Sequence, residues 1–161
     1  MNEIVAWFTQ NYPNIKRAMK MCEHGEKQLN PYHIEGDCWS HTMMVCKVAE
    51  LRGFNNNISV AALLHDIGKP KSRKVNTKNG HVQFYGHEEL SSILSKPILE
   101  KMADEKIIES SSIEYILELI RYHGLAYKLN STELQKRFGS KFYNDLMELN
   151  LCDRLGRFNT I

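Results

Sequence analysis

Five short stretches, EGDCWSHT, LLHDIGKP, FYGHEE, RYHG and CDRLGR, are built around histidines and aspartates. They supply His41, the adjacent pair His65-Asp66, His87, His123 and Asp153. Neutral imidazoles and carboxylates suit divalent metals of intermediate softness, and a carboxylate can bridge two ions. Six such ligands suffice for two ions about 3.5–4 Å apart, which lower the pKa of a shared water and clamp a phosphoryl group. The set points to a binuclear hydrolytic site, attack on phosphorus coming from a metal-bridged hydroxide.

The local contexts divide the ligands. Asp66 follows His65 at a helix C-terminus, where unwinding turns adjacent side chains into one pocket. His41 lies on or beside the Met44, Val45, Val48 face of the preceding helix. Asp153 sits among apolar neighbours in LNLCDRLGR, where a buried carboxylate needs a partner. These four can hold one ion. His87 and His123 each follow a turn or end a helix, and with a bridging Asp66 they can hold a second. Alone, a histidine on an apolar helix is more often a hydrogen-bonded core residue than a ligand. It is the six together that carry the reading. His24, His33 and His81 lie in polar loop or strand contexts and are left out of the metal set.

Helical periodicity supplies most of the scaffold. Residues 2–10 and roughly 14–22 read as helices split by Asn11-Tyr12-Pro13, followed by a polar loop with Gly25, Pro31 and Gly36. Ser40 is the expected N-cap of a helix ending near Gly53. A buried helix, ISVAALLHDI, is closed by Gly68 and Pro70. Lys71–Val75 and His81–Tyr85 flank Asn79-Gly80, which predicts a hairpin with a type I′ turn. Helices resume at about 87–103, 111–123, 131–138 and 140–155. The expectation is a single domain over 1–161, all-α, a helical bundle with a small β-hairpin insertion at about 71–85 and N-terminal helices of unassigned role in 1–30.

Composition narrows the class. The 161 residues are 42% hydrophobic and 25% charged, with a net charge of +2, as in an ordinary globular domain. No apolar run is long enough to span a bilayer, and the start lacks a signal-peptide pattern, so no membrane partner and a cytoplasmic location are expected. Cys22, Cys38, Cys46 and Cys152 show no CxxC spacing, and reduced, mostly buried thiols are expected.

The charge is unevenly placed. From Ile67 to His87 there is no acidic residue, while Lys69, Lys71, Arg73, Lys74 and Lys78 all fall there. Such a run beside the ligands attracts a polyanion. Lys69, three residues after Asp66, is expected to face a bound phosphate, so Asp66 and Lys69 are the expected catalytic residues. Lys69, Lys71, Arg154 and Arg157 are the expected substrate contacts, arginine offering a two-pronged grip. Arg73, Lys74 and Lys78 read equally well as a solvated hairpin tip. Phe84, Tyr85 and Tyr122 can stack on a base or belong to the core. Nothing predicts readout of double-stranded DNA.

LLHDIGKP resembles the signature of the HD-domain metal-dependent phosphohydrolases, and His41, His65, Asp66 and Asp153 match that family's H…HD…D. With His87 and His123 the pattern is similar to its binuclear branch. HIEGDCWSHTMMV, LLHDIGKP, FYGHEELSS and CDRLGR together resemble the HD domain at the C-terminal end of some bacterial tRNA nucleotidyltransferases, over about residues 33–157. The nucleotidyltransferase head is absent, so nucleotide addition is not implied, and the first thirty residues match nothing in the pattern. The resemblance implies a helical bundle and one or two divalent ions (Mn, Ni, Co, Fe, Zn or Mg). It also implies phosphatase, 2′,3′-cyclic phosphodiesterase and 2′-nucleotidase activity on nucleotides or RNA ends. Competing expectations are a 5′-nucleotidase or cyclic-nucleotide phosphodiesterase, a mixed-valent di-iron oxygenase of the same fold, and a non-catalytic nucleotide-binding module. The basic hairpin argues against the oxygenase, and the full ligand set argues against the binding module.

Overall fold

The computed structural model describes residues 1–25 and 36–157; Pro31 and His33 lie outside them. Helix α4 (Asn56–Leu64) forms the centre. Every residue from Ile58 to Leu64 is buried, as a near-continuous apolar run requires. Asn55 caps it, its side chain accepting from the Ile58 amide at 3.1 Å. Around α4 pack α3 (Cys38–Arg52), α6 (His87–Asp104), α7 (Ile113–Tyr122) and α9 (Ser140–Leu155). Helix α8 (Ser131–Phe138) leans on α9 through buried Leu134, and a capping box at Asn130 and Glu133 starts it.

The N-terminal pair, α1 (Asn2–Asn11) and α2 (Pro13–Lys20), docks on this bundle. Buried Phe8 stacks on Trp39 of α3 at 6.1 Å between ring centroids. The Trp7 indole N–H donates to Glu105 beyond α6 at 3.2 Å.

The all-α architecture with a small hairpin is as expected, with three local differences. First, α3 begins at Cys38, not after Ser40. Asp37 is the cap, its carboxylate accepting from the Ser40 amide and hydroxyl, each at 2.8 Å. An Asp available three residues earlier takes the orphan donors of the first turn. Second, Pro70 does not end helical structure but opens the short helix α5 (Lys69–Ser72), a first-turn position where proline loses nothing. Third, the strands shrink to β1 (Lys74–Val75) and β2 (Val82–Gln83), paired antiparallel as Lys74↔Gln83 and Val75↔Val82. That register spans a longer loop than a two-residue turn. The Asn76 and Asn79 side chains take the amides of Lys78 and His81, each at 2.9 Å, and Gly80 sits at φ +74. Asparagine side chains that satisfy the loop amides make the longer connection self-supporting.

Candidate metal centre

Helix α4 stops at Leu64, and His65 to Gly68 form turns before α5 starts at Lys69. The unwinding turns His65 and Asp66 into the same buried space. His41 enters from α3, Asp153 from the end of α9, His87 from the first turn of α6, and His123 from a 3₁₀ turn directly after α7. His41 and His65 are fully buried, and Asp66, His123 and Asp153 nearly so.

Asp66 stands between two groups. Its Oδ2 lies 3.2 Å from His65 Nε2 and 3.7 Å from His41 Nε2. Its Oδ1 lies 3.1 Å from His87 Nε2 and 3.7 Å from His123 Nε2. Asp153 Oδ1 completes the first group, 2.8 Å from His41 Nε2 and 3.6 Å from His65 Nε2. One carboxylate thus offers an oxygen to each pair of imidazoles.

The other ring nitrogens fix the orientation. Nδ1 of His65 donates to the Ala62 carbonyl at 2.7 Å, that of His87 to Phe84 at 2.9 Å, and that of His123 to Ile120 at 2.6 Å. Nδ1 of His41 faces the Gly156 carbonyl at 3.3 Å. A proton held on Nδ1 leaves the Nε2 lone pair pointing inward, as a metal-ligating histidine requires. In step with this, buried His65 Nε2 and both Asp66 oxygens receive no aligned hydrogen bond. Two sets, the buried His41-His65-Asp66 and Asp66-His87-His123 with His87 half-buried, each bring their donor atoms within 4.8 Å of one another. His87 Nε2 and His123 Nε2 face each other at 3.3 Å, so each set pairs imidazole nitrogens with a carboxylate oxygen, a donor mix that suits a divalent ion.

Charges inside the site are strongly coupled. Burial works to neutralise His65, but Asp66 and Asp153 outweigh it and push its pKa up to about 10. Burial alone would raise both carboxyls. Instead His65 and Lys69 hold Asp66, and His41 and His65 hold Asp153, well below the usual carboxylate range. His123 moves the other way, pressed down to about 4 by burial and by the charge on His65.

A cleft of about 350 Å³ opens onto these residues. Lys69, nearly buried, lines it with its Nζ 3.0 Å from Asp66 Oδ2 and 5.1 Å from the centre of the Phe84 ring. Arg157 lines it from the other side, 3.4 Å from Asp153 Oδ2 and stacked 4.7 Å from the Tyr127 ring. Lys71 and Arg154 are exposed and lie outside the cleft lining. Arg73 is occupied elsewhere, donating to the Glu23 carbonyl at 2.8 Å. Phe84 is half-buried against His24 and His87, whereas Tyr85 stands 79% exposed at the mouth.

Two contributors carry no sequence signal of their own. His24 is fully buried, with Nε2 3.2 Å from Lys69 Nζ and its ring edge-on to His41 at 5.8 Å. Its polar neighbours, Glu23 and Gly25, disguise a position set by the isolated bridge between Glu23 and Asp37. Tyr127 donates its hydroxyl to Asp153 Oδ2 at 2.8 Å. Only the 3₁₀ turn after His123 places it there. His81 stays exposed on the hairpin loop.

Helices thus deliver histidines and aspartates into a buried centre beneath an open cleft, an arrangement that could hold divalent metal. The HD domain family model matches residues 38–156, so the chain belongs to the HD domain family, a family of metal-dependent phosphohydrolases. It is 32% identical to the Multifunctional CCA protein of Burkholderia orbicola (strain MC0-3) over 105 residues, 65% of this chain and 24% of that protein. It is 28% identical to the Multifunctional CCA protein of Dechloromonas aromatica (strain RCB) over 143 residues, 83% of this chain and 33% of that protein. The chain thus spans a quarter to a third of the length of these relatives. No solved structure matches it.

Proposed function

We propose that this phosphohydrolase acts on the terminal phosphates of nucleotides or RNA, as a phosphatase, 2′,3′-cyclic phosphodiesterase or 2′-nucleotidase, with a binuclear centre. One observation carries the binuclear reading: the two oxygens of Asp66 face two separate histidine pairs, each ring fixed through its other nitrogen. His41, His65, Asp66 and Asp153 would hold one ion, and Asp66, His87 and His123 the other. Divalent ions there supply Lewis acidity and water of lowered pKa. The nitrogen-rich donor set favours Mn, Fe, Co, Ni or Zn over Mg.

The chain's own residues do the rest. Lys69 puts a fixed ammonium on the cleft wall, where it balances charge on a phosphoryl oxygen. Arg157, held flat by Tyr127, presents its fork to the same space. Tyr127 and Arg157 together keep Asp153 turned toward His41. Exposed Lys71 and Arg154 add only to the field that draws in an anion. The nucleotide or RNA-end preference is supported by the likeness to Multifunctional CCA proteins and by the cationic cleft wall.

The test is a product screen on purified protein. Mn, Ni, Co, Mg and Zn are supplied in turn against 2′,3′-cyclic, 2′-, 3′- and 5′-nucleotides, with Asp66→Ala as control. Opening of the cyclic phosphate or release of terminal phosphate, lost in the variant, is expected. Silence on every substrate would overturn the proposal.

A further inference from the structure

The cleft over the candidate metal ligands does not end at Lys128. A second depression of about 440 Å³ adjoins it, and Gly86, Glu88, Gly124 and Lys128 line both. Two of the four residues shared at this divide carry no side chain. Gly86 holds φ +77 with nothing within 4 Å of where a Cβ would stand. At Gly124 a Cβ would meet Glu88 Oε1 at 2.7 Å, so the Glu88 carboxylate leans across the divide over bare backbone.

Cations along this path differ in how they are paired. Lys69 faces Asp66, Arg157 faces Asp153, and Arg121 is gripped at both ends by Glu89, at 2.7 and 2.8 Å. Lys128 and Arg137 have no ion-pair partner among the described residues. Arg137 is nonetheless positioned, its guanidinium 5.3 Å from the Tyr122 ring centre and 5.1 Å from that of Phe138. An unpaired, ring-braced guanidinium is built to receive an anion from outside. It lines the second depression and not the first, so a phosphate at the metal centre leaves it unused. Glu88 on the divide repels phosphate, so anionic groups belong on either side of it.

We propose that the substrate is the end of a single RNA strand at least two nucleotides long, with Lys128 and Arg137 binding the phosphate next to the one attacked. This rests on the RNA-end reading above. A free nucleotide fills only the first cleft, whereas a strand carries one charge per residue and reaches the second.

The experiment compares cytidine 2′,3′-cyclic phosphate with a trinucleotide ending in the same cyclic phosphate, using whichever metal supports turnover. The trinucleotide is expected to show kcat/KM higher by about tenfold or more, the value of one charge-assisted contact. Arg137→Ala should remove most of that preference and flatten the log–log salt dependence for the trinucleotide by about 0.7. Arg137→Lys, which keeps the charge, should restore the salt slope. Arg137 is exposed, so these variants test contact and not folding. Equal turnover of both substrates, or a preference that survives Arg137→Ala, overturns the second subsite and leaves the metal-centre reading standing. No turnover of either substrate brings down both.

Discussion

Gly68 follows the His65-Asp66 pair by two residues, and its replacement by alanine gives a direct test of how the site is braced. Its backbone is ordinary, φ −82 and ψ −12, so alanine faces no conformational penalty there. Stiffening the unfolded chain would even favour the variant by about 0.4–1 kcal/mol. The obstacle is steric. A Cβ at Gly68 would stand 2.7 Å from the Ser91 amide nitrogen, 2.8 Å from the His87 carbonyl oxygen and 2.8 Å from Ser91 Oγ. To reach the 3.4 Å of ordinary contact, α6 must retreat by about 0.7 Å. Overpacking of this kind costs about 1–3 kcal/mol, and strain on the buried bond from the Gly68 amide to Ser91 Oγ, now 2.8 Å, adds about 1 kcal/mol. The net loss is about 2–3 kcal/mol, or about 5–10 °C in Tm for a chain of this size. Because His87 sits on the first turn of α6, the same retreat opens its 3.1 Å approach to Asp66. Gly68→Ala should therefore weaken metal binding to the Asp66-His87-His123 set more than to the His41-His65-Asp66 set. Thermal unfolding followed by circular dichroism, with metal stoichiometry under chelator competition, reads both effects. Adding Ser91→Ala should rescue little, since two of the three clashes are with backbone. Wild-type Tm and two tightly held ions in Gly68→Ala would refute the reasoning.

Asp66→Ala should abolish turnover and reduce metal content at both sets, measured by elemental analysis; full activity would contradict a shared carboxylate. Lys69→Ala should cut turnover by roughly tenfold or more while metal content persists, as removal of a charge-balancing group predicts; loss of metal would instead make Lys69 structural. The pH dependence has a definite sign. His65, ordinarily near 6.5 and pushed up to about 10, keeps its proton at neutral pH in the metal-free protein, so an incoming ion must displace it. Apparent affinity at the His41-His65 set should rise about tenfold per pH unit from 7 toward 10, with proton release detectable by calorimetry in paired buffers. His123, pressed down to about 4, is already neutral there and adds no proton to that release. The folding contribution of His65, being a raised pKa, is full below pH 6.5 and lost as pH rises through about 10, so metal-free Tm should decline with alkalinity.

The clustering of the candidate ligands was legible because they sit at or near helix ends, where local sequence declares itself. The apolar run before His65 marks a buried helix, and the polar His65-Asp66 pair falls directly after its last residue, Leu64, where the chain unwinds. His24 was not legible. Its burial depends on a bridge between Glu23 and Asp37 and on the edge of Phe84, contacts between segments far apart in the chain. Tyr127 was hidden for the same reason. Lys71 and Arg154 show the converse: charge and proximity in sequence placed them near the ligands, but helical phase turned both outward. The hairpin was read from Asn79-Gly80, whereas the Asn76 side chain and the Lys74↔Gln83 register favour a longer loop, a choice that dipeptide preference does not resolve.

The shortest distance between two of the candidate ligands, 2.8 Å between His41 Nε2 and Asp153 Oδ1, joins residues 112 positions apart in the chain. No nascent chain lacking α9 can bring these two atoms together, and closing so long a loop early carries an entropic cost that only the rest of the bundle offsets. The centre is therefore among the last features to assemble. An ion captured there would mark a molecule in which α3 and α9 have met, and in holding both it would resist their separation.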